Sequence, residues 1–538
     1  MRRQMTAWLL GVLMLGACSG SGLDPGRGIV DADGGVVAHD MIVLGNRLED
    51  PYTVENMTKA VEAVYPTKAG RVVLKTTHYY VRFLPEDERQ YEWLEQSGLP
   101  LLDHPMDYEI VREGDYYHDP EIEDDCLTWQ YAVVPEDFVF PQDIRYEVLD
   151  KCHIPGGDTS TKGDGIDWEA VEREAYRITG NAGMLEEMPG QSRNDLLPGT
   201  KAGSTSGVPA GRITIVDPAR GGQAEGVRGV RVQCNCFVKF ADAFTDEQGR
   251  YRMKTSFSSN PRYRLQFTNS AGFSIGFNLI LVPASISTLG TGPVTGLDAE
   301  ISQNSDRWLF CRSVVSNAGY DYYRDCSADK PSIKTPPANF RLWLFQSLDV
   351  GICAMLQQGA LIDGSALASL LGPYTMLLKI FLPDSLLGLK GCNTYAEIYA
   401  AAVHQFAHAS HFMHAGKSFW SDYDRFLIRS FLTSGFVVYG VGTEEGAGIC
   451  EVAEMWAYFM ETLRYRQRYG LPEEAAFGLG YWFHPQILLQ LEERGLSCHK
   501  IFQVLDSEVT DVETFQRKLT SYYPEYKSAI NQAFTRYD

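Results

Sequence analysis

The stretch Tyr395-Ala-Glu-Ile-Tyr-Ala-Ala-Ala-Val-His-Gln-Phe-Ala-His-Ala-Ser-His-Phe-Met-His-Ala-Gly416 carries the strongest structural signal in this 538-residue chain. Its small and apolar residues predict a helix over residues 394–415. His404 and His408 stand four positions apart, which separates them by about 40° around a helix axis. Both imidazoles therefore face one side of the helix, where they can bind a single metal ion.

A histidine pair at this spacing, in a context of small and apolar residues, resembles the buried helix of the zincin metallopeptidases. The resemblance covers about residues 390–470. It implies a zinc ion with three protein ligands, of which His404 and His408 would be two.

The third ligand has two possible sources. His414 follows His404 by ten residues, the interval found in metzincins, but those enzymes have a glycine where this chain has His411. If the helix continues, His414 points about 80° away from His404. The segment Gly446-Ala-Gly-Ile-Cys-Glu-Val-Ala-Glu-Met-Trp-Ala-Tyr458 is the favoured source.

This second segment resembles the gluzincin arrangement, in which a glutamate on a following helix binds the metal. A second acidic residue three positions later then steadies a histidine ligand through its other ring nitrogen. By this resemblance Glu451 is expected to be the third ligand. Glu454 is expected to be the carboxylate that accepts a hydrogen bond from the other ring nitrogen of a histidine ligand.

The residue after the first histidine departs from the zincin pattern. In zincins it is a glutamate that acts as general base, whereas here it is Gln405. A carboxamide has no accessible proton equilibrium near neutral pH, and loss of a general base costs about 10²–10⁴-fold in rate. The sequence therefore predicts impaired catalysis, unless Glu397, Glu444 or Glu445 substitutes as an alternative carboxylate.

A third interpretation needs no metal, because four histidines on one helix can be partly core and partly solvent-facing groups. The chain would then be a non-catalytic binding or structural protein. Downstream, His484 precedes Pro485 and is expected to begin a helix, with oxyanion binding as the alternative role.

Upstream, residues 208–300 alternate short strands and turns. Gly229-Val-Arg-Val, followed by Thr245-Asp-Glu-Gln-Gly-Arg-Tyr251, resembles the carboxypeptidase-regulatory, transthyretin-like family. That resemblance implies an all-β sandwich that acts as a spacer or binding module. Gly249 is expected to supply the positive φ of the turn that joins two strands.

The remaining segments complete a multidomain prediction. Residues 45–165 are expected to form a small α+β domain with a helix over Val54–Val64 and a strand over Arg71–Leu84. Residues 166–207 are predicted to be a linker. Residues 301–538 are expected to form a mainly helical, zincin-like domain. Its candidate helices include Leu342–Leu361 and Ala366–Leu389.

The N-terminus resembles a bacterial lipoprotein signal. A short basic region and an apolar run end in Leu15-Gly16-Ala17-Cys18. Residues 1–17 would be removed, Cys18 would carry the lipid, and residues 18–44 would form a tether. The combination resembles cell-envelope lipoproteins of Bacteroidota, which implies an outer-membrane lipoprotein on the periplasmic face or the cell surface.

The charge composition of the chain limits the classes of partner that are expected. The chain has 48 Lys and Arg residues against 69 Asp and Glu residues, a formal net charge of −21 at pH 7. Because this charge repels a phosphate backbone, nucleic acid is not an expected partner. The expected partners are the membrane, through lipidated Cys18, and a peptide or protein ligand.

Overall fold

The computed structural model describes residues 41–67, 72–123, 126–156, 165–186, 206–276, 284–328, 333–346, 351–360, 382–433, 437–470 and 476–535. These residues form a multidomain α+β architecture with several β-sheets. The signal segment, Cys18 and most of the tether lie outside the described residues. None of the described helices is long and apolar enough to cross a bilayer.

An N-terminal module contains a three-stranded antiparallel sheet of order β4-β2-β5 and a two-stranded sheet of β1 and β3. Its helices follow amphipathic patterns and begin at side-chain caps; Thr53, for example, accepts a hydrogen bond from the backbone of Asn56. Its elements are β1 (Val43–Arg47), α1 (Val54–Val64), β2 (His78–Leu84), α2 (Glu88–Gln96), β3 (Tyr108–Arg112), β4 (Gln130–Pro135), β5 (Arg145–Cys152) and α3 (Trp168–Ile178).

Helix α1 has the bounds that the sequence predicts, whereas the strand expected from Arg71 begins only at His78. Helix α3 corrects the prediction that residues 166–207 are all linker. It buries Val171, Ala175 and Tyr176 in the same core as α1. The prediction was wrong because the Gly- and Ser-rich composition of the neighbouring stretch was extended over a short amphipathic helix. Residues 187–205 lie outside the described part.

Two sheets follow, and they share one hydrophobic core. The smaller has the order β10-β6-β14, with β7 also paired to β6. Its neighbour contains β8, β9, β11, β12 and β13. The strands are β6 (Ala210–Val216), β7 (Ala224–Gly226), β8 (Val230–Cys236), β9 (Lys239–Phe244), β10 (Arg250–Arg252), β11 (Arg262–Asn269), β12 (Phe273–Gly276), β13 (Ile286–Thr291) and β14 (Ala299–Ile301).

The turn between β9 and β10 has the expected geometry. Asp246 Oδ1 accepts hydrogen bonds from the backbone N–H groups of Gln248 and Arg250. Gly249 has φ = 76°, and a Cβ there would lie 2.1 Å from the carbonyl oxygen of Ile213. Only glycine fits a backbone that is both left-handed and this close to a neighbouring strand.

The larger sheet does not end at residue 300. Strand β12 pairs in parallel with β15, β15 pairs in parallel with β17, and β17 pairs with the short edge strand β16. The sheet therefore has eight strands and runs from the β-rich region into the C-terminal half. Its added strands are β15 (Phe340–Phe345), β16 (Ile352–Cys353) and β17 (Ser385–Gly388).

These strands correct two expectations. The border at residue 300/301 does not separate two independent folding units, because one sheet crosses it. The helix expected over Leu342–Leu361 is not formed by its described residues, since Phe340–Phe345 is a fully buried strand. A short apolar run buried on both faces has no periodicity that separates strand from helix. Of Ala366–Leu389, residues 366–381 lie outside the described part, and Ser385–Gly388 is a strand.

Helices dominate the rest of the C-terminal half. Helix α4 packs against both the sheet and α5, while α5 and α6 pack along each other. The helices are α4 (Arg307–Ala328), α5 (Tyr395–Thr433), α6 (Ala447–Tyr469), α7 (Pro485–Glu493), α8 (Cys498–Val504), α9 (Val512–Tyr522) and α10 (Lys527–Thr535).

Candidate metal centre

Helix α5 places His404 and His408 side by side. The helix runs past its expected end, although Gly416 has non-helical backbone angles (φ 81°, ψ 175°) and kinks it. Both histidines are buried, with 5% and 1% of their surfaces exposed. Their Nε2 atoms lie 3.0 Å apart. The pair expected from the four-residue spacing therefore points both rings at one place.

Helix α6 brings Glu454 to the same place. Its Oε2 lies 3.4 Å from Nε2 of His404, and its Oε1 lies 3.4 Å from Nε2 of His408. Glu454 is completely buried. The side-chain N–H of Trp456 donates to the carbonyl of Ala407 at 3.1 Å, which ties the two helices together beside the site.

These three side chains fit a metal ion. One ligand atom from each lies within 4.8 Å of the others. A tetrahedral ion with ligand distances of about 2.0–2.1 Å holds its donor atoms about 3.3 Å apart, which is close to the observed spacings. Oε2 of Glu454 is also buried without a hydrogen-bond partner, and a cation would satisfy it.

Glu461 sets the protonation of the first histidine. Its Oε2 lies 3.0 Å from Nδ1 of His404. Because a carboxylate only accepts hydrogen bonds, Nδ1 carries the proton that is donated to it. In the neutral ring, Nε2 of His404 then presents its lone pair toward Glu454 and His408, as a metal ligand must.

Burial and the neighbouring charges act in opposite directions on the pKa values of the site. Burial lowers the pKa of His404, but the neighbouring carboxylates of Glu454 and Glu461 outweigh this effect and raise the pKa to about 9. Burial lowers the pKa of His408 despite the attraction of Glu454. Burial also opposes ionisation of Glu454, yet both histidines hold its pKa well below its usual range. The site thus keeps an ionised carboxylate in the protein interior.

Aromatic side chains surround the donors. The hydroxyl of Tyr423 donates to Oε1 of Glu454 at 2.6 Å. The ring of Tyr458 lies 4.4 Å from that of His404, and the ring of Trp420 lies 5.5 Å from that of His408. These contacts fix the orientations of the ligand side chains and exclude water from around them.

Glu451 does not take the position expected of it. Its Oε1 lies 2.6 Å from Nδ1 of His484, and the group that could hold a metal ion contains Glu454 instead. Residues three positions apart on a helix point about 60° apart, and in this packing it is Glu454 that faces the histidine pair. The packing of α6 on α5 turns Glu454 toward the histidine pair. Glu461, two turns further along α6, accepts the hydrogen bond from the other ring nitrogen of His404, the role that was expected of Glu454.

Gln405 lies beside the sheet. Its Oε1 accepts a hydrogen bond from the hydroxyl of Ser385 in β17 at 2.6 Å, and it is 2% exposed. Gly351, just before β16, leaves room for its amide, since a Cβ there would lie 2.3 Å from Nε2. The position that follows the first histidine is therefore occupied by a buried carboxamide that is bonded to strand β17 of the larger sheet.

The alternative carboxylates lie elsewhere. Glu397 is exposed, and its Oε2 accepts the backbone N–H groups of Asn393 and Thr394 at the start of α5. Glu444 accepts the backbone N–H of Val441, and Glu445 pairs with Arg429 on the surface. None of the three belongs to the metal-binding group of the described residues.

The other histidines of α5 also lie apart from this group. His414 contacts the carbonyl of Gln503 and stacks on Phe502. The ring of His411 lies among aromatic side chains, 4.9 Å from the ring of Phe419. Neither completes the group formed by His404 and its partners. His484 directly precedes α7, as expected.

Comparison with protein-family models, curated proteins and solved structures finds no match for this chain. The assignment of the centre therefore stands on its donor atoms and their surroundings.

Proposed function

We propose that this chain is a lipid-anchored cell-envelope protein whose C-terminal half binds zinc in a metallopeptidase-like site with impaired catalysis. The observation that carries the proposal is the convergence of His404, His408 and Glu454 in a buried, charge-balanced group. Two imidazoles and one carboxylate are the donor set of many catalytic zinc sites. Zinc in such a site acts as a Lewis acid that activates water or polarises a carbonyl group.

The donor types favour zinc over harder cations. Calcium and magnesium prefer oxygen ligands and larger coordination numbers, whereas two of the three donors here are imidazole nitrogens. The outer hydrogen bond from His404 to Glu461 is the type of contact that orients histidine ligands of zinc.

Gln405 supports impaired catalysis. An amide neither takes up nor releases a proton near neutral pH, and this one is bonded to Ser385. The remaining role of the site is then to stabilise the packing of α5 on α6.

An active zinc peptidase is the second candidate, and the Glu451–His484 pair favours it. Glu451 lies about one turn before Glu454 on α6, and His484 reaches it from the start of α7. Burial raises the pKa of Glu451, although His484 opposes this shift. A half-buried carboxyl of raised pKa paired with an imidazole is a group able to exchange protons.

Peptidase assays of zinc-loaded native protein, Gln405→Glu and Gln405→Glu/Glu454→Gln separate the two candidates. The proposal expects hydrolysis only in Gln405→Glu, because that variant alone has both the base and the complete ligand set. Hydrolysis by the native protein would instead establish the active enzyme if Glu451→Gln loses this activity while it still binds zinc.

The anchoring is supported by the signal-like sequence that ends at Cys18. Detergent phase partitioning after expression in a bacterium tests it. Native protein is expected in the detergent phase and Cys18→Ser in the aqueous phase; partitioning of both into the aqueous phase would refute the anchor.

A further inference from the structure

The N-terminal module contains a cavity of about 570 Å³ that the metal centre does not use. It lies between β1, the start of α1 and β5. The charged side chains around it are mostly acidic: Glu49, Asp50, Glu55 and Asp150 against Arg47 and Lys151. The lining therefore carries an excess of negative charge.

Asp50 is the unusual member of this lining. It is 4% exposed; its Oδ1 accepts the backbone N–H of Tyr52 at 2.8 Å, but its Oδ2 is buried without any partner. Burial raises its pKa to about 8, the backbone N–H of Tyr52 opposes this, and the neighbouring Asp107 and Asp150 add to the rise. A buried carboxyl with an unpaired oxygen is costly unless a donor reaches it.

One cationic side chain of the lining, Arg47, is engaged elsewhere. Arg47 donates from Nε to Oδ2 of Asp107 at 2.6 Å and from Nη2 to Oδ2 of Asp150 at 3.4 Å. These two contacts satisfy Asp107 and Asp150 and leave Asp50 unpaired. Because Arg47 is already held by these two carboxylates, Oδ2 of Asp50 is available to a cation from outside the module.

We propose that this cavity binds an ammonium or guanidinium group, with Oδ2 of Asp50 as its principal hydrogen-bond acceptor. Nitrogen cations supply the N–H donors that an unpaired carboxylate oxygen lacks, and such charge-assisted hydrogen bonds are strong. A divalent metal fits less well, because among the described residues three ligand atoms converge only at His404, His408 and Glu454. The cation belongs either to a small free amine or guanidine, or to a basic side chain of a peptide.

Calorimetric titration of the full-length protein tests the proposal with two probes, agmatine and a terminally blocked pentapeptide with one central arginine. Asp50→Asn is the test variant, since asparagine keeps the acceptor for Tyr52 but has no negative charge. Glu49→Gln is the matched control, because it removes an exposed charge from the same lining.

At least one probe is expected to bind the native protein and Glu49→Gln alike, and to bind Asp50→Asn about tenfold more weakly or worse. Tighter binding of agmatine identifies a free small cation, and tighter binding of the peptide identifies a basic side chain. The proposal is overturned if neither probe binds the native protein, or if both variants lose affinity equally. Thermal melting of Asp50→Asn confirms that a loss of binding is not a loss of fold.

Discussion

Nδ1 of His404 lies 3.0 Å from a carboxylate oxygen of Glu461, two helical turns beyond the glutamate that faces the other nitrogen of the same ring. The imidazole thus lies between two carboxylates on one helix. This arrangement holds the direction of the His404 ring and keeps a proton on Nδ1, and it implies that Glu461 contributes to metal affinity without touching the ion.

Replacement of Glu461 by glutamine is expected to weaken zinc binding about tenfold or more, because the uncharged amide holds the His404 N–H less strongly. Competition with a chromophoric chelator measures the affinity. Glu445→Gln, which removes an exposed carboxylate away from the site, is the control and should leave the affinity unchanged. Equal affinities in Glu461→Gln and native protein would show that this contact is not used.

Tyr423→Phe is expected to lower zinc affinity while preserving the fold. The change removes the hydroxyl that donates to Glu454 at 2.6 Å but keeps the buried ring. Without this hydrogen bond the carboxylate of Glu454 reorients more easily, and zinc affinity should fall about tenfold. Tyr439→Phe is the matched control, since its hydroxyl donates to the carbonyl of Gly351. If the control loses as much affinity as Tyr423→Phe, the Tyr423 contact has no special role.

Gly249→Ala is expected to destabilise the β-rich region strongly. The alanine would have to adopt φ = 76° with its Cβ 2.1 Å from the carbonyl oxygen of Ile213. Gly221→Ala is a matched control, because Gly221 has φ = 78° with nothing within 4 Å of its Cβ position. Urea unfolding should show about 1 kcal/mol of destabilisation for the control and at least about twice that for Gly249→Ala. Equal decreases in the free energy of unfolding would mean that the positive φ alone, and not the contact with Ile213, destabilises Gly249→Ala.

Stability of the N-terminal module should fall with rising pH because of Asp50. Its pKa is raised to about 8 in the fold, against about 3.9 in an unfolded chain. The folded state therefore holds the proton more tightly. The resulting stabilisation is complete below about pH 4 and is lost as the pH rises to about 8, by at most about 1.4 kcal/mol per pH unit.

Asp50→Asn should flatten this slope, whereas Glu49→Gln should keep it, when unfolding is followed by denaturant titration at several pH values between 4 and 9. A native slope that Asp50→Asn leaves unchanged would assign the pH dependence to other groups.

The sequence predicts the parts of the site that depend on local geometry. The four-residue spacing of His404 and His408 sets their common direction, and helical periodicity also relates Glu454 to Glu461. Which face of α6 meets α5 depends on tertiary contacts such as Trp456 with Ala407, so choosing between Glu451 and Glu454 needed the structure.

The same limit applies to the fold. The bounds of α1 follow from local amphipathicity and its cap at Thr53. Phe340–Phe345 becomes a strand because β12 and β17 pair with it on either side, and those partners are distant in sequence. No local pattern distinguishes such a buried strand from a buried helix.

The metal content of purified protein, after dialysis against zinc and then against metal-free buffer, tests the central claim most directly. Glu454→Gln and Glu451→Gln are a matched pair on one helix, and only the first removes a donor from the group around His404. We predict one zinc ion per chain in the native protein and in Glu451→Gln, and substantially less in Glu454→Gln. Zinc retained by Glu454→Gln but lost from Glu451→Gln, or no zinc in the native protein, would contradict the account.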